Sequence, residues 1–171
     1  MSPDRIVVLE DRREISFSFE DMLDYNGGSS PGGVAHAFKV LERALLLLDP
    51  GGGVERREIF IETAFGGPGA RDAFELVTRA VSEGRFVVAP SLARPERGRG
   101  RERFVFCVRY RGRAVTLALR EGFVTEEFLD LTRKERRSTD EERELAVLKD
   151  DMATQVMSAA AAAVYDASSA A

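Results

Sequence analysis

Residues 25–48 read YNGGSSPGGVAHAFKVLERALLLL, and this stretch decides the architecture. From Asn26 to Gly33 the chain is asparagine, glycine, serine and proline, the residues of turns and loops. Then Val34, Ala37, Phe38, Leu41, Leu45 and Leu48 recur at i, i+3, i+4, i+7, i+11 and i+14, one apolar stripe that predicts a helix over 33–48. Asp49-Pro50 and three glycines stop it.

The same alternation of glycine loop and helix repeats downstream. Residues 57–63 (REIFIET) alternate as a strand with Ile59 and Ile61 on one face. Residues 65–69 (FGGPG) form a second glycine loop, and 70–83 a second helix with the stripe Ala70, Ala73, Phe74, Val77, Val81 and Gly84 just beyond it. Upstream, 5–10 (RIVVLE) is a strand, Asp11 to Arg13 a turn and 15–19 a strand pairing back. Ser18 reads as the cap of a short helix through Tyr25, with Asp21 three residues on. Downstream, 86–89 is a strand and 90–101 an arginine-rich loop. Residues 104–110 and 114–119 form a hairpin through Arg111-Gly112-Arg113. Helices follow over 125–133 and 139–163, and residues 167–171 are expected to fray. Helices mixed with antiparallel hairpins, without strict βαβ alternation, predict an α+β fold: a core domain over 1–124 and a helical extension over 125–171.

Composition sets limits. The chain has 171 residues, 44% of them apolar, enough for a buried core. Lys plus Arg is 25 against 29 Asp plus Glu, a net charge of −4 that argues against a general nucleic-acid coat. Cys107 is alone, so no intramolecular disulfide forms, which suits a reducing cytoplasm; its place in a strand reads as a small buried hydrophobe. One Cys and one His leave no all-protein zinc site of four such ligands. No signal peptide and no run long enough to span a membrane are expected.

Each glycine loop opens a helix, where free N–H groups face a positive helix end. Each therefore reads either as a tight turn or as a cradle for an anionic or polar ligand. Neither carries a phosphate-loop or dinucleotide signature. His36 sits within one turn of the first loop, a surface or interfacial residue or a neutral base. Ser29 and Ser30 are caps or substrate contacts. Arg71 in a first helical turn opposes the dipole unless it serves an anion, whereas Asp72 complements it. Eight arginines between 94 and 113 face only Glu96 and Glu102. They read as a nucleic-acid strip or as an exposed loop with charged strand faces, and Phe104, Phe106 and Tyr110 at alternate places favour the second. The run Ala159 to Ala163, with Met152, Val156 and Met157, suits a dimer seam or an internal docking helix. Together with the stripe of 33–48 it exceeds what one small domain needs to cover, which predicts a dimer.

Taken in succession, Tyr25 to Gly32, Ile61-Glu62-Thr63, Gly69, Asp72 to Val81, Gly84-Arg85, Phe104-Val105-Phe106 and Gly112 to Val115 resemble the E-subunit family of formylmethanofuran dehydrogenase over about residues 17–120. The resemblance implies that family's fold, a homodimer and a pocket near the two loops. It does not carry the metal, because the family's ligand positions fall on Asn26, Gly28, Ser30, Gly69 and Ala80, none with a thiol or imidazole. The zinc-ribbon tail of many members is also missing.

The resulting expectation is a metal-independent enzyme without a cofactor, of lyase, isomerase or hydrolase type, acting on a small anionic or aromatic metabolite. Asn26, Ser30, His36 and Glu62 are the candidate catalytic residues. Gly28, Ser29, Thr63, Arg71, Asp72 and Arg79 are the candidate substrate-binding residues. The alternative is a non-catalytic dimeric binding module or accessory component of a larger enzyme; neither a membrane nor a nucleic acid is the expected partner.

Overall fold

The computed structural model describes residues 5–169. Strand β1 (Arg5–Glu10) pairs antiparallel with β2 (Arg13–Ser18), Ile6 opposite Phe17 and Val8 opposite Ile15. Asp11 and Arg12 make the connection at φ 49° and 69°, the two-residue geometry whose twist matches a hairpin. Ser18 then caps α1 (Phe19–Asn26) as the sequence predicts. The Asp21 N–H donates to Ser18 Oγ at 3.0 Å and the Ser18 N–H to Asp21 Oδ2 at 2.8 Å. Gly27 ends this helix at φ 83°.

Helix α2 (Pro31–Leu48) starts two residues earlier than the stripe suggests, because Pro31 fits a first position where its missing N–H costs nothing. It is buried on almost every side: Ala35, Val40 and Ala44 are inaccessible along with the predicted stripe. A helix that is apolar all round belongs in a core. This one carries the polar His36 and Lys39 into the core with it. Its apolar stripe is therefore covered within the chain, and not left over for a partner as the sequence suggests.

A 3-10 turn over Arg56–Glu58 shortens the next strand to β3 (Phe60–Thr63), with Ile59 and Ile61 both fully buried. Helix α3 (Pro68–Thr78) follows, and β4 (Phe86–Val88) returns parallel to β3. The helix stops five residues short of the expected 83. Thr78 Oγ1 donates back to the Phe74 carbonyl at 2.6 Å and accepts the Ala80 N–H at 3.1 Å, while Arg79 turns to φ 60°. Strands β5 (Val105–Tyr110) and β6 (Arg113–Leu119) form the predicted hairpin, turning through Arg111 and Gly112 at φ 47° and 77°.

Thr125 caps α4 (Glu126–Arg133), and Ser138 with Glu141 boxes the start of α5 (Thr139–Ser158). The long helix does not run to 163: Ala159 is extended, a one-turn α6 (Ala161–Val164) follows, and the chain ends in β7 (Tyr165–Ser169). The expected fraying is corrected here for Ala167, Ser168 and Ser169, which pair with Leu117, Thr116 and Val115. Val164 and Tyr165, both fully buried, anchor that strand. Ala170 and Ala171 lie outside the described residues.

The main sheet runs β4-β3-β5-β6-β7, with β1 and β2 as a separate ribbon. The fold is α+β, with a mixed sheet, helices and a C-terminal helix. Helix α5 packs along α2 and β7 extends the sheet, so residues beyond 125 share one core with those before it. No described helix is long and apolar enough to cross a membrane.

Candidate functional site

The two glycine loops converge because α2 and α3 cross at their starts. A Cβ on Gly69 would lie 2.4 Å from the Ser30 carbonyl oxygen and 3.0 Å from the Val34 nitrogen; one on Gly33 would lie 3.1 Å from the Ala70 nitrogen. Backbone meets backbone there, and a side chain would wedge the helices apart. Asn26 ties the junction: its Nδ2 donates to Asp72 Oδ2 at 2.8 Å and its Oδ1 accepts the Ser30 N–H at 3.0 Å.

Beside this junction opens a cleft of about 370 Å³. Ser30, Gly32, Gly33, Gly67 and Gly69 form one side of it, at two helix starts that have no side-chain cap. The floor is apolar. Phe65 and Phe104 stack at 4.4 Å between ring centroids, and Phe128, Leu129, Leu145 and Met152 close the opposite wall from α4 and α5. Arg99, Arg103, Arg133, Arg137 and Lys149 surround the cleft, five cations against the single carboxylate of Glu102. Some of these charges are already engaged. Arg99 pairs with Asp130 at 2.6 Å and Glu126 at 3.2 Å, Arg137 pairs with Glu142 at 2.9 Å, and Lys149 donates to the Ser29 carbonyl at 3.3 Å. Arg103 and Arg133 are exposed, and among the described residues neither side chain has a partner.

His36 is among the residues that line the cleft and is fully buried, its ring 4.7 Å from that of Phe104. Its Nδ1 sits 2.8 Å from Tyr165 Oη, and its Nε2 has no partner among the described residues. Burial without an acid nearby pushes the imidazole pKa down to about 3, so the ring is neutral at physiological pH. Burial likewise pushes the Tyr165 hydroxyl well up, so it stays protonated. A neutral imidazole beside a protonated phenol can donate or accept at Nε2 but carries no charge.

The structure separates the residues singled out from sequence. Ser30 and His36 line the cleft; Ser29 adjoins it through its carbonyl. Asn26 and Asp72 are joined to each other at the loop junction. Gly28, at φ 80°, donates its N–H to the Leu23 carbonyl and serves the end of α1. Thr63 is fully buried, its hydroxyl donating to the Val105 carbonyl at 2.7 Å. Glu62 alternates to the other face of β3 from Ile61 and Thr63, and pairs there with Arg109 at 2.9 Å. Arg71 is exposed and outside the cleft lining, and Arg79 sits at the opposite end of α3.

Sequence reasoning did not single out Arg103, Arg133, Lys149 or Tyr165 as site residues. The eight arginines with few acids between 94 and 113 were the available signal for the first of these. Tyr165 had none, because its partner is 129 residues away. Among the described residues no three His, Cys, Asp or Glu side chains gather where they could hold a metal ion. No family model and no curated protein matches the chain.

Proposed function

We propose that the protein is an enzyme acting on a small anionic metabolite that seats in the cleft between the start of α2, the 65–69 loop, the 99–104 segment and the C-terminal helices. The charge arrangement carries this reading. On a chain of net charge −4, five cations line an apolar cleft; Glu126, Asp130 and Glu142 hold Arg99 and Arg137, and Arg103, Arg133 and Lys149 remain with Glu102 as the nearest carboxylate on the lining. Low-dielectric walls focus such a field and draw an anion inward. Arg103 and Arg133 are the groups free to bind it, and Glu102 and His36 are the groups placed to hold or move a proton at the bound molecule. The reaction would be a lyase, isomerase or hydrolase step run by these side chains.

A divergent relationship to the E-subunit family of formylmethanofuran dehydrogenase is part of the proposal. Its support is local. Ser30 and Gly69, two positions where that family carries metal-binding residues, pack against each other at the cleft wall, and Asn26, a third, bonds to Ser30. A homodimer belongs to the same reading, and exposed Phe60 and Val87, on one face of the sheet near its β4 edge, offer it an apolar contact.

The second reading, a binding module without chemistry, draws on one observation: Asn26 and Asp72, two polar groups at the loops, are committed to each other. Calorimetric titration with a panel of small carboxylates and phosphate monoesters tests the anion site. Arg103→Ala and Arg133→Ala should each weaken binding by about ten- to a hundredfold, since a charge-assisted hydrogen bond contributes about 1.5–3 kcal/mol, with melting midpoints unchanged. Undiminished affinity in both variants would place the anion elsewhere. NMR of each bound compound over time separates turnover from binding.

A further inference from the structure

Tyr165 and His36 share one hydrogen bond in a dry place, and that decides where the proton sits. Both residues are fully buried, and the 2.8 Å contact between Tyr165 Oη and His36 Nδ1 is the only side-chain hydrogen bond either makes among the described residues. If Nδ1 carried the proton, the tyrosine O–H and the lone pair of Nε2 would both lack a partner. If Tyr165 donates to Nδ1, a single group is left over, the Nε2–H. Buried polar groups are seldom left unpaired, so the arrangement with fewer orphans holds. His36 is among the residues that line the cleft, with Nε2 itself closed to solvent, while the unpaired guanidinium groups of Arg103 and Arg133, on the same lining, are exposed. Phe65, Phe104 and Phe128 are part of the same lining.

Building on the anionic-ligand reading above, we infer that His36 presents its Nε2–H to an oxygen of the ligand, with Tyr165 fixing that tautomer. The cleft thereby selects molecules with an anionic group at one end of an apolar or aromatic body and an oxygen acceptor, such as a carbonyl, at the other. The missing partner of Nε2 is supplied by the ligand. An isosteric ligand without that oxygen leaves the donor unpaired and binds more weakly.

The sequence contains one histidine, so its side-chain nitrogens give one pair of ¹⁵N signals free of overlap. The full chain should show a protonated Nε2 and an unprotonated Nδ1; the opposite tautomer would overturn the inference. Two probes of matched shape, 4-acetylbenzoate and 4-ethylbenzoate, test the selectivity. Wild type should prefer the acetyl compound about tenfold, the effect of one buried hydrogen bond. His36→Gln, which retains a side-chain N–H, should keep most of that preference, and His36→Met should abolish it. Arg133→Ala should weaken both compounds equally. A preference that survives in His36→Met would overturn the role of the histidine. If both compounds bind in an Arg133-dependent way without any preference, this inference fails and the anion site stands. If neither binds wild type at about 10 mM, the anion reading fails and the inference with it. Should His36→Met not fold, the wild-type tautomer and the wild-type preference decide between these outcomes.

Discussion

Acidification from about pH 7.5 to about pH 5 should cost the protein about 2 kcal/mol through His36 alone. The folded ring has a pKa near 3 against 6.5 for an unperturbed histidine. The unfolded chain therefore takes up the proton first. The native state keeps its full stability above 6.5 and loses it as pH falls through 6.5 and on towards 3. Each pH unit in that window withdraws about 1.4 kcal/mol, and pH 5 lies about one and a half units inside it. Glu42 works in the opposite sense: burial raises its carboxyl pKa, so acidification returns part of the loss in both wild type and variant. Asp21, Glu75 and Glu141 are held low by hydrogen bonds to Ser18, Ser82 and Lys134. Their contributions disappear only as pH falls below the ordinary carboxylate range, outside this window. Urea unfolding at about pH 7.5, 6 and 5, on wild type and His36→Gln, isolates the histidine. Wild type should lose about 2 kcal/mol more than the variant over this range. Equal losses would refute a neutral ring buried in the folded state.

Three further outcomes follow from the loop junction and the end of α3. Gly69→Ala should lower unfolding stability by about 3 kcal/mol in urea, because its Cβ would have to displace the backbone of Ser30 and not a flexible side chain. Asn26→Asp should lose about 2 kcal/mol at neutral pH, since it sets a second carboxylate against Asp72, and should recover much of this as pH falls and one proton bridges the pair. Arg79→Gly should raise the melting temperature by an amount worth about 1 kcal/mol, because it removes a side chain from the left-handed conformation at φ 60°. The same variant should leave anion binding intact, since Arg79 lies outside the cleft lining.

What the sequence made legible, it did through signals within one turn of chain. Ser18 with Asp21, the Arg111-Gly112 turn and the stripe from Val34 to Leu48 each contain their whole cause locally, and each element formed, the helix of the stripe starting two residues early at Pro31. The strand at the C-terminus had no such local cause, because Tyr165 found partners on β6 and α2; the end of α3 had one, the Thr78 hydroxyl turned back on Phe74, but the apolar stripe running on to Val81 concealed it. The glycine loops were ambiguous for a physical reason. A helix start that cradles an anion and a helix start that crosses another helix both need a missing Cβ, and only the contact of Gly69 with Ser30 tells them apart. The cationic mouth of the cleft was hidden differently. Arg133 and Lys149 each stand near an acid in the chain, Asp130 and Asp150, so their segments read as balanced, solvated faces, and Arg103 is one of eight arginines in a run that reads as an exposed loop with charged strand faces. Folding removes that balance. Arg99 takes Glu126 and Asp130, Arg137 takes Glu142, and the side chains of Arg103 and Arg133 are left without a partner among the described residues, beside an apolar floor. A net charge of −4 constrains what the whole surface attracts at long range, whereas a ligand within a few ångströms of these arginines feels the local excess. An acidic composition and a cleft selective for anions are therefore compatible in one chain.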